Sequence, residues 1–306
     1  MGDQVGQSPT AEPSVCAVVI TCDPDPGWAE RFDAIARQAP RVVVVDDHSG
    51  PPALKMIAAA VARRGGQFLG NDAKRGHAGV LNQGAGWVFS HGFRWALIFD
   101  DDTLPRPGIA SELLDIHRRA SAIRPIGMVG SNYYDDKQGA LRYRFDEGKT
   151  DGWTPRATVI LSGSLLERDA FAAIGPFREE FFVASIDHDF CLRARAKGFE
   201  VLISTRPLMT HSIGATSVHR LAGLSIATTN HTAKRRYYMA RNHVTLLREH
   251  VLGEPRWVAQ GCYALLRDAV AVMLFERDRT AKVRSMAVGA WHGLRGKLGR
   301  GPGDAR

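Results

Sequence analysis

The sequence predicts an α/β fold in which a mixed, mostly parallel central sheet carries helices on both faces and is followed by a C-terminal helical region. Two observations predict this fold. Over about the first hundred residues, short and continuously apolar strands alternate with segments of helical spacing, a pattern typical of parallel sheets covered on both sides. Acidic residues follow three of the four strands, and ligands of such sheets bind beyond the carboxyl ends of the strands.

The elements are expected in the following order. Strands are predicted at 15–21, 41–45, 67–69 and 95–99, and helices at 28–38, 53–64 and 77–91, on the basis of apolar runs, helical spacing and turn residues. Further helices are predicted at 107–122, 169–174 and 187–197, and further strands at 127–132, 158–161 and 201–204. The chain therefore divides into a disordered lead-in (1–14), an α/β domain (15–230) and a basic, amphipathic helical region (231–306).

The composition is that of a globular protein, with 306 residues of which 44% are hydrophobic and 24% are charged. The four cysteines are scattered and show no C-x-x-C spacing, so we expect buried free thiols rather than a disulfide or zinc framework. The sequence contains no secretory signal and no uninterrupted apolar run of about 18 residues. These features predict a cytoplasmic protein that does not span a bilayer.

The formal net charge of +8 is uneven, because Lys and Arg predominate beyond His231. Such a basic region suits nucleic acid, an anionic membrane surface or phosphorylated lipids. No nucleic-acid-binding motif accompanies it, so we expect no nucleic-acid partner and favour peripheral binding to the inner face of the membrane. The amphipathic C-terminal helices could instead form a homodimer surface.

Three consecutive aspartates in "IFDDDTLP" end the fourth predicted strand. In an extended segment residues i and i+2 point the same way, so Asp100 and Asp102 can meet one cation while Asp101 points elsewhere. Oxygen ligands suit Mg²⁺ or Mn²⁺. A helix cap would not need three acids. A phosphatase of the haloacid dehalogenase type is disfavoured, because Thr103 and Leu104 replace its Gly and Thr or Val, and no lysine lies between its two acidic motifs.

Further candidate residues lie in three other segments. Asp187 in "SIDHDF" could act as a general base, and Asp189 next to it could simply favour the helix dipole. His211 in "MTHSIG" is a candidate metal ligand, although a lone histidine is more often structural. In "NDAKRGHAG" the backbone N–H groups at a helix start, with Lys74 and Arg75, could attract a diphosphate.

Taken together, these segments resemble inverting glycosyltransferases of family 2, and within that family the bacterial rhamnosyltransferase-like group. The resemblance runs from about residue 15 to residue 297 through "VVVVDDHS", "NDAKRGHAGVLNQG", "LIFDDDTLP", "SGSLLERDAFAAIGPFREEFFVASIDHDFCLRARAKGF", "HSIG", "RRYYMARN" and "AWHGLRGKLGR". Two departures stand out. Cys22 and Asp23 replace the group's usual Tyr-Asn, and Ala184 replaces an aspartate three residues before the expected base.

The resemblance implies a GT-A fold for 15–230 and a metal-dependent single displacement with Asp187 as the base. It implies donor contacts at Thr21, Asp23, Asp46, Arg75, Gly76 and Asp101, and metal ligands at Asp100, Asp102 and His211. It also implies acceptor or phosphate contacts at Ser162, Gly163, Asp189, Arg236, Tyr238 and Arg241. The implied cofactor is Mg²⁺ or Mn²⁺.

The implied reaction moves a sugar from a nucleotide-sugar donor, a dTDP- or UDP-sugar, to a hydroxyl of a glycan or polyprenyl-diphosphate glycolipid. L-Rhamnose from dTDP-rhamnose is the expected sugar, in cell-surface polysaccharide synthesis, and galactofuranose from UDP-galactofuranose is the alternative. An inactive sugar-nucleotide-binding protein should have lost the base, and Asp187 is present. A nucleotidyltransferase should carry a basic, Gly-rich loop after the first strand, and "TCDPDPGW" has no basic residue.

Overall fold

The structure is a computed structural model that describes residues 14–146, 151–211, 214, 216–221 and 224–302. The strands are β1 Val15–Thr21, β2 Arg41–Asp46, β3 Gln67–Gly70, β4 Trp95–Asp100, β5 Leu104–Pro105, β6 Ile126–Asp135, β7 Ala140–Leu141, β8 Trp153–Pro155, β9 Ser164–Glu167, β10 Glu200–Thr210, β11 Ser217–Leu221 and β12 Leu224–Thr228. The helices are α1 Trp28–Ala36, α2 Pro51–Arg63, α3 His77–Ser90, α4 Ile109–Ser121, α5 Arg168–Ile174, α6 Ile186–Ala196, α7 Ala233–Glu249, α8 Pro255–Phe275 and α9 Arg279–Leu294.

The central sheet has the strand order β3-β2-β1-β4-β9-β6-β10-β5. Strands β3, β2, β1 and β4 are parallel, and their register pairs Thr21 with Asp46 and Ile20 with Asp100. The carboxyl ends of these strands, with their acidic residues, therefore lie at one edge. Two buried clusters of apolar side chains cover the two faces of the sheet. The predicted fold class, a mixed and mostly parallel sheet between helices with a C-terminal helical region, is confirmed.

The second half of the sheet differs from the prediction in one strand. The predicted strand at 158–161 is wrong: this segment is irregular, and β9 follows it, antiparallel to both β4 and β6. Val159 and Leu161 are nevertheless buried. A short apolar run shows that a segment is buried, but it does not show that its backbone pairs with a neighbouring strand.

The C-terminal helices form a separate layer in which α9 packs closely against α7. Gly289 and Gly293 of α9 face the α7 backbone: a Cβ atom at Gly289 would overlap the carbonyl of Tyr237, and one at Gly293 would overlap that of Arg241. Two glycines four residues apart on a helix lie on the same face, so they allow the two backbones to approach. The predicted lead-in, 1–14, falls outside the described residues except for Ser14.

Helix α8 bears on the expectation that no segment spans a membrane. Its 21 residues are long and apolar enough to cross a membrane by length and composition alone, and it is the single such helix among the described residues. The criterion of an uninterrupted apolar run missed it because Arg267 and Asp268 lie in its middle. Core helices of soluble proteins pass the same test, so the surroundings of α8 must decide what it does.

The four cysteines are free, but they are not all buried. Cys16 and Cys191 are buried, and burial raises the pKa of each thiol to about 12. Cys22 and Cys262 are exposed, which corrects the expectation of four buried thiols. Cys22 lies in the turn after β1, so one exposed thiol is at the sheet edge that carries the acidic residues, although partial burial raises its pKa.

Candidate active site

The turn after β2 is organised around Asp46, whose side chain is fully buried. One carboxylate oxygen accepts hydrogen bonds from the hydroxyls of Thr21 (2.9 Å) and Ser49 (2.5 Å), and the other accepts one from the Ser49 backbone N–H (2.8 Å). Both oxygens are therefore engaged within the protein. Asp46 and Thr21 therefore hold the turn together from the protein interior, and neither side chain is exposed to solvent.

Asp23, in the turn after β1, has an exposed side chain. Its backbone lies in the left-handed region at φ 51°, and its carboxylate accepts a hydrogen bond from the Gly50 N–H at 2.7 Å. The Ser49 hydroxyl accepts a bond from the Asp23 N–H at 2.7 Å, which ties the β1 turn to the β2 turn. A cleft of about 310 Å³ beside Asp23 is lined mainly by Pro24, Pro26, Pro52 and Met56.

Asp47, an acidic residue at a predicted strand end to which the sequence assigns no separate role, connects β2 to the start of α3. Its nearly buried carboxylate accepts hydrogen bonds from the backbone N–H groups of Arg75 (2.6 Å) and Gly76 (3.1 and 3.2 Å). These N–H groups are the ones from which the sequence predicted a diphosphate site. Because Asp47 already occupies them, an incoming anion would have to meet the side chains of Lys74 and Arg75 instead. The adjacent acids in "DDHS" were the available signal for Asp47.

The predicted metal ligands Asp100, Asp102 and His211 are brought together by strand pairing. β5 pairs antiparallel with β10, Leu104 opposite Thr210, so His211 lies beside Thr103 and Asp102. One potential ligand atom from each of Asp100, Asp102 and His211 lies within 4.8 Å of the others. The His211 Nδ1 atom is 3.1 Å from an Asp102 oxygen and 2.9 Å from the Thr103 hydroxyl.

Charge at this cluster is poorly balanced without a cation. Burial and, next in importance, the neighbouring Asp100 carboxylate raise the pKa of the Asp101 carboxyl to about 7. Burial would lower the pKa of His211, but the Asp102 carboxylate beside it holds that pKa above its ordinary value. Two carboxylates and an imidazole are ligands that Mg²⁺ or Mn²⁺ accepts. The residues present therefore fit a divalent cation.

His77, at the first position of α3, is a second histidine that the sequence reasoning missed. Its Nε2 atom lies 3.4 Å from an Asp100 oxygen, and this buried atom makes no hydrogen bond to the described residues. Ser162 supports the same strand end, because its hydroxyl accepts the Asp100 N–H at 3.0 Å and bonds to the Thr103 hydroxyl at 2.6 Å. Ser162 is buried, so it positions the aspartates and is not placed to touch an acceptor.

Asp187 lies in the first turn of α6, after a turn in which Ala184 (φ 68°) and Ser185 (φ 58°) are left-handed. Its side chain is partly exposed, and one of its oxygens accepts the His188 N–H at 2.9 Å. The preceding turn touches α3, since a Cβ atom at Gly76 would lie only 2.6 Å from the Phe182 carbonyl oxygen. The turn that leads into α6 and Asp187 is therefore in contact with the start of α3.

The remaining predicted acceptor or phosphate contacts lie inside the protein, which corrects that interpretation. Asp189 is fully buried and forms ion pairs with Arg193 (2.8 Å) and Arg178 (3.3 Å). Arg236 is buried and pairs with Glu276 at 2.5 Å. Gly163, at φ 69°, has no room for a Cβ atom against the Met209 sulfur. Helical spacing shows which residues share a face, but it does not show whether solvent or another helix covers that face.

Tyr238 and Arg241 are likewise buried. The Tyr238 hydroxyl accepts the Gly301 N–H at 2.5 Å, and its ring lies 5.5 Å from that of Phe182. Arg241 donates to backbone carbonyls of the turn before α6. Exposed cationic groups occur instead in a cleft of about 340 Å³, lined by Ala73, Lys74, Arg75, Glu179, Phe182, Gly299 and Arg300.

Asp100, Asp102 and His211 thus lie together beyond the carboxyl end of β4, where ligands of such α/β sheets bind. Residues 16–178, more than half of the chain, match the family described as glycosyl transferase family 2. The chain belongs to this family and is a glycosyltransferase. The matched range contains Asp100 and Asp102 and ends before Asp187 and His211.

One curated relative is similar over nearly the full length. The chain is 26% identical over 298 residues to a protein named dTDP-rhamnosyl transferase RfbF from Shigella flexneri, covering 94% of this chain and 98% of that protein. The expected resemblance to the rhamnosyltransferase-like group is thereby confirmed.

Two solved structures show the same fold. One is a mannosyltransferase, PcManGT from Pyrobaculum calidifontis, in complex with GDP-Man and Mn²⁺ (TM-score 0.54, 15% identity, 96% of this chain and 90% of that chain). The other is GalNAc-T7 with UDP, GalNAc and Mn²⁺ (TM-score 0.56, 11% identity, 79% of this chain). The match spans only 48% of the GalNAc-T7 chain, and 44% of the chain of Staphylococcus aureus TarS, another structure of similar fold.

Proposed function

We propose that this enzyme is a metal-dependent inverting glycosyltransferase. The observation that carries the proposal is the convergence of Asp100, Asp102 and His211 within 4.8 Å at the strand ends of a chain that belongs to glycosyl transferase family 2. A divalent cation held there would offset charge on the departing nucleoside diphosphate. Asp187 lies outside this cluster, which leaves it available to accept the proton of the attacking hydroxyl.

The protein's own groups divide the remaining work. Asp23 and the apolar cleft next to it would hold the nucleoside, and Asp101 helps to fix the same turn through the Cys22 N–H at 3.3 Å. The side chains of Lys74 and Arg75 would attract the diphosphate, because the nearby backbone N–H groups are bonded to Asp47.

The metal proposal is tested by a thermal-shift and calorimetric screen of dTDP- and UDP-sugars with and without Mn²⁺. We expect donor binding to require Mn²⁺ and Asp102→Asn to lose that requirement together with most of the affinity. Asp115→Asn, an exposed aspartate on α4 that pairs with Arg118 and Arg119, is the matched control. If the wild-type protein binds the donor with the same affinity with and without Mn²⁺, the metal-site proposal is wrong.

For the donor, we propose L-rhamnose from dTDP-rhamnose, transferred to a hydroxyl of a glycan or a polyprenyl-diphosphate glycolipid in cell-surface polysaccharide synthesis. The similarity over nearly the full length to a protein named as a dTDP-rhamnosyl transferase supports this choice. UDP-galactofuranose is the alternative. The same donor screen separates the two, since a rhamnosyltransferase should bind dTDP-rhamnose at least tenfold more tightly than UDP-galactofuranose, a difference of about 1.4 kcal/mol.

A lipid-linked acceptor would require the enzyme to work at a membrane, and α8 offers a surface for this. Its outer face carries large exposed apolar side chains at helical spacing: Tyr263, Leu266, Val270, Met273 and Leu274. Exposed arginines border α8 and continue into α9: Arg256, Arg267, Arg277, Arg279 and Arg284. An apolar face bordered by cations is typical of helices that lie in the interface of an anionic bilayer.

We therefore propose that the enzyme is cytoplasmic and binds the inner face of the membrane through α8. The charged pair Arg267 and Asp268 at the middle of α8 favours a helix that lies on the bilayer, because burying both charges in the hydrocarbon core would be costly. A second copy of the chain is a less favourable partner for the exposed apolar face of α8. A two-fold interface along α8 would bring these arginines toward their own copies.

Sedimentation of the full chain with vesicles tests this surface. We expect binding to vesicles that contain anionic lipid, little binding to zwitterionic vesicles, and loss of binding in a Leu266→Gln, Met273→Gln variant. Ile123→Gln, which changes a large exposed apolar residue next to α4, is the control. If the α8 variant instead converts a dimer to a monomer in sedimentation velocity, the partner is a second copy and the membrane proposal is wrong.

A further inference from the structure

The turn that leads into α6 has an unusual backbone. Phe182 (φ 60°), Ala184 (φ 68°) and Ser185 (φ 58°) all lie at positive φ, although none of them is glycine. Such conformations cost free energy and persist only where surrounding contacts hold them. Asp187 follows two residues after Ser185, so the direction of this turn decides where the base lies.

Asn242 of α7 holds this turn from inside the protein. Its side-chain Nδ2 atom lies 2.9 Å from each of three backbone carbonyl oxygens, those of Phe181, Val183 and Ala184. The side chain of Asn242 is fully buried. One amide group therefore binds the turn on both sides of Phe182, where water could not replace it.

Arg241 adds a second set of bonds next to the first. Its Nη2 atom donates to the carbonyls of Glu180 (3.0 Å) and Phe181 (3.2 Å), and its Nη1 atom donates to the carbonyl of Gly299. Its Nε atom donates to the Asn242 side-chain oxygen at 2.9 Å, which fixes the orientation of the amide. The fully buried guanidinium lies over the Tyr238 ring at 4.8 Å.

The same turn also reaches the donor side of the site. The Phe182 ring packs directly against Gly76, where a Cβ atom would overlap the ring. The Gly76 N–H in turn donates a hydrogen bond to the Asp47 carboxylate. Arg300 lies over the Phe182 ring at 5.6 Å and donates to the Lys74 carbonyl at 2.6 Å. The C-terminal segment thus touches both the turn before the base and the cationic segment at 74–75.

We propose that Arg241 and Asn242 are positioning residues that hold the turn at 180–185 and thereby orient Asp187. The catalytic consequence depends on the function proposed above, whereas the mechanical role does not. Neither side chain is exposed, so neither touches substrate. The C-terminal helices would then form part of the catalytic frame, and they would not be an independent appendage.

The test compares Asn242→Ala and Arg241→Lys with Thr245→Val. Thr245 is a buried control one helical turn along α7, and its hydroxyl bonds to the Arg241 carbonyl of its own helix and not to the turn. Hydrogen exchange is measured for the peptide that covers 179–187, together with kcat and the Kd for the donor with Mn²⁺. In both Asn242→Ala and Arg241→Lys, we expect hydrogen exchange at 179–187 to be at least tenfold faster than in wild type. We also expect kcat to fall about a hundredfold, while the Kd for the donor stays within threefold of wild type.

Three outcomes would overturn the proposal. The first is unchanged exchange at 179–187 in both variants. The second is that Asn242→Ala, Arg241→Lys and the control Thr245→Val all lose kcat and donor binding to the same extent, which would indicate a general structural role. The third concerns the wild-type protein and needs no variant: the N–H groups of Phe182 and Val183, bonded to the carbonyls of Glu179 (2.9 Å) and Phe181 (2.6 Å), should exchange slowly, and rapid exchange would exclude a held turn.

If the wild-type enzyme transfers no sugar from any donor, the proposed function fails, and the exchange measurement still decides the role of Arg241 and Asn242. If transfer is observed but exchange at 179–187 is insensitive to both substitutions, the function stands and the positioning role fails. The two hypotheses therefore fail in different measurements.

Discussion

At the scale of single residues, carboxylates that are close in sequence have different surroundings. Asp187 is partly exposed at the start of α6, while Asp189 two residues later is fully buried between Arg178 and Arg193. Asp46 is buried beneath the turn that follows β2, whereas Asp23, in the adjacent turn after β1, is exposed to solvent. Function therefore follows from the contacts of each side chain and cannot be read from the density of acidic residues.

Substitution of Asp187 and Asp189 should separate catalysis from stability. Asp187→Asn removes the proton acceptor, so we expect kcat to fall by about 10²–10⁴-fold with little change in donor Kd or Tm. Asp189→Asn weakens a buried ion-pair network, so we expect it to lower the free energy of unfolding by about 1–3 kcal/mol. Steady-state kinetics, calorimetry and urea unfolding measure these effects. Full activity in Asp187→Asn would remove Asp187 from the role of base.

The exposed cysteines provide a probe of the nucleoside side. We expect maleimide to label Cys22 and Cys262, and not Cys16 or Cys191, whose thiol pKa values are raised to about 12 by burial. A bound nucleoside diphosphate should protect Cys22, which lies in the turn next to Asp23, and leave labelling of Cys262 unchanged. Peptide mass spectrometry measures both. Equal labelling of Cys22 with and without nucleotide would place the nucleoside elsewhere.

At the scale of elements, the pairing of α7 with α9 depends on two small residues. Gly293 has the Arg241 carbonyl and the Val244 side chain against it, and a Cβ atom there would lie 3.1 Å from Val244 Cβ. A methyl group can be accommodated only if the helices separate, and separation would disturb the α7 residues that hold the turn before α6.

We expect Gly293→Ala to lower the free energy of unfolding by about 1–3 kcal/mol through overpacking. Gly86→Ala is the control: Gly86 lies in α3 with no atom within 4 Å of an added Cβ, so the substitution should be neutral or stabilising by up to about 1 kcal/mol. Urea unfolding monitored by circular dichroism compares the two. Equal stability of both variants would contradict close packing of α7 on α9.

At the scale of the whole molecule, buried charges between α7, α8 and α9 predict how stability depends on pH. Glu276 pairs with Lys282 (2.8 Å) and Arg236 (2.5 Å). Burial opposes ionisation of Glu276, but these two cations hold its pKa below the ordinary value of 4.5. Its contribution to stability is therefore present above about pH 4.5 and is lost as the pH falls through the lower pKa of the folded state.

His231, which precedes α7, adds to the same trend. Burial and the positive charges of Arg235 and Arg236 lower its pKa from 6.5 to about 4. Between these two pH values His231 is protonated in the unfolded chain but not in the folded protein. The free energy of unfolding should therefore decline as the pH falls from 6.5 to about 4. Urea unfolding between pH 7.5 and 4 should show this decline, and His231→Gln should flatten it. An identical slope in the variant would exclude His231 as a cause.

The class of fold and the acidic strand ends could be predicted from the amino-acid sequence alone. Continuous apolar runs locate β1, β2 and β4, and parallel strands necessarily bring their carboxyl ends to one edge. The spacing of Asp100 and Asp102 therefore predicts that they share a cation, whereas the resemblance to family 2 enzymes is what adds His211 to them. The predicted strand at 158–161 failed because burial of Val159 and Leu161 does not imply backbone pairing.

Which polar residues face the site and which are internal could not be predicted from the sequence, because it depends on tertiary packing. Arg236, Tyr238 and Arg241 are predicted contacts that α8, α9 and the C-terminal segment cover, whereas Asp47 is a residue without a separate predicted role whose partners are backbone N–H groups about 28 residues away. Side-chain chemistry and helical spacing are local properties of a sequence. Burial and hydrogen-bond partners depend on which distant segments pack together, and this packing gives α7 its position behind the proposed base.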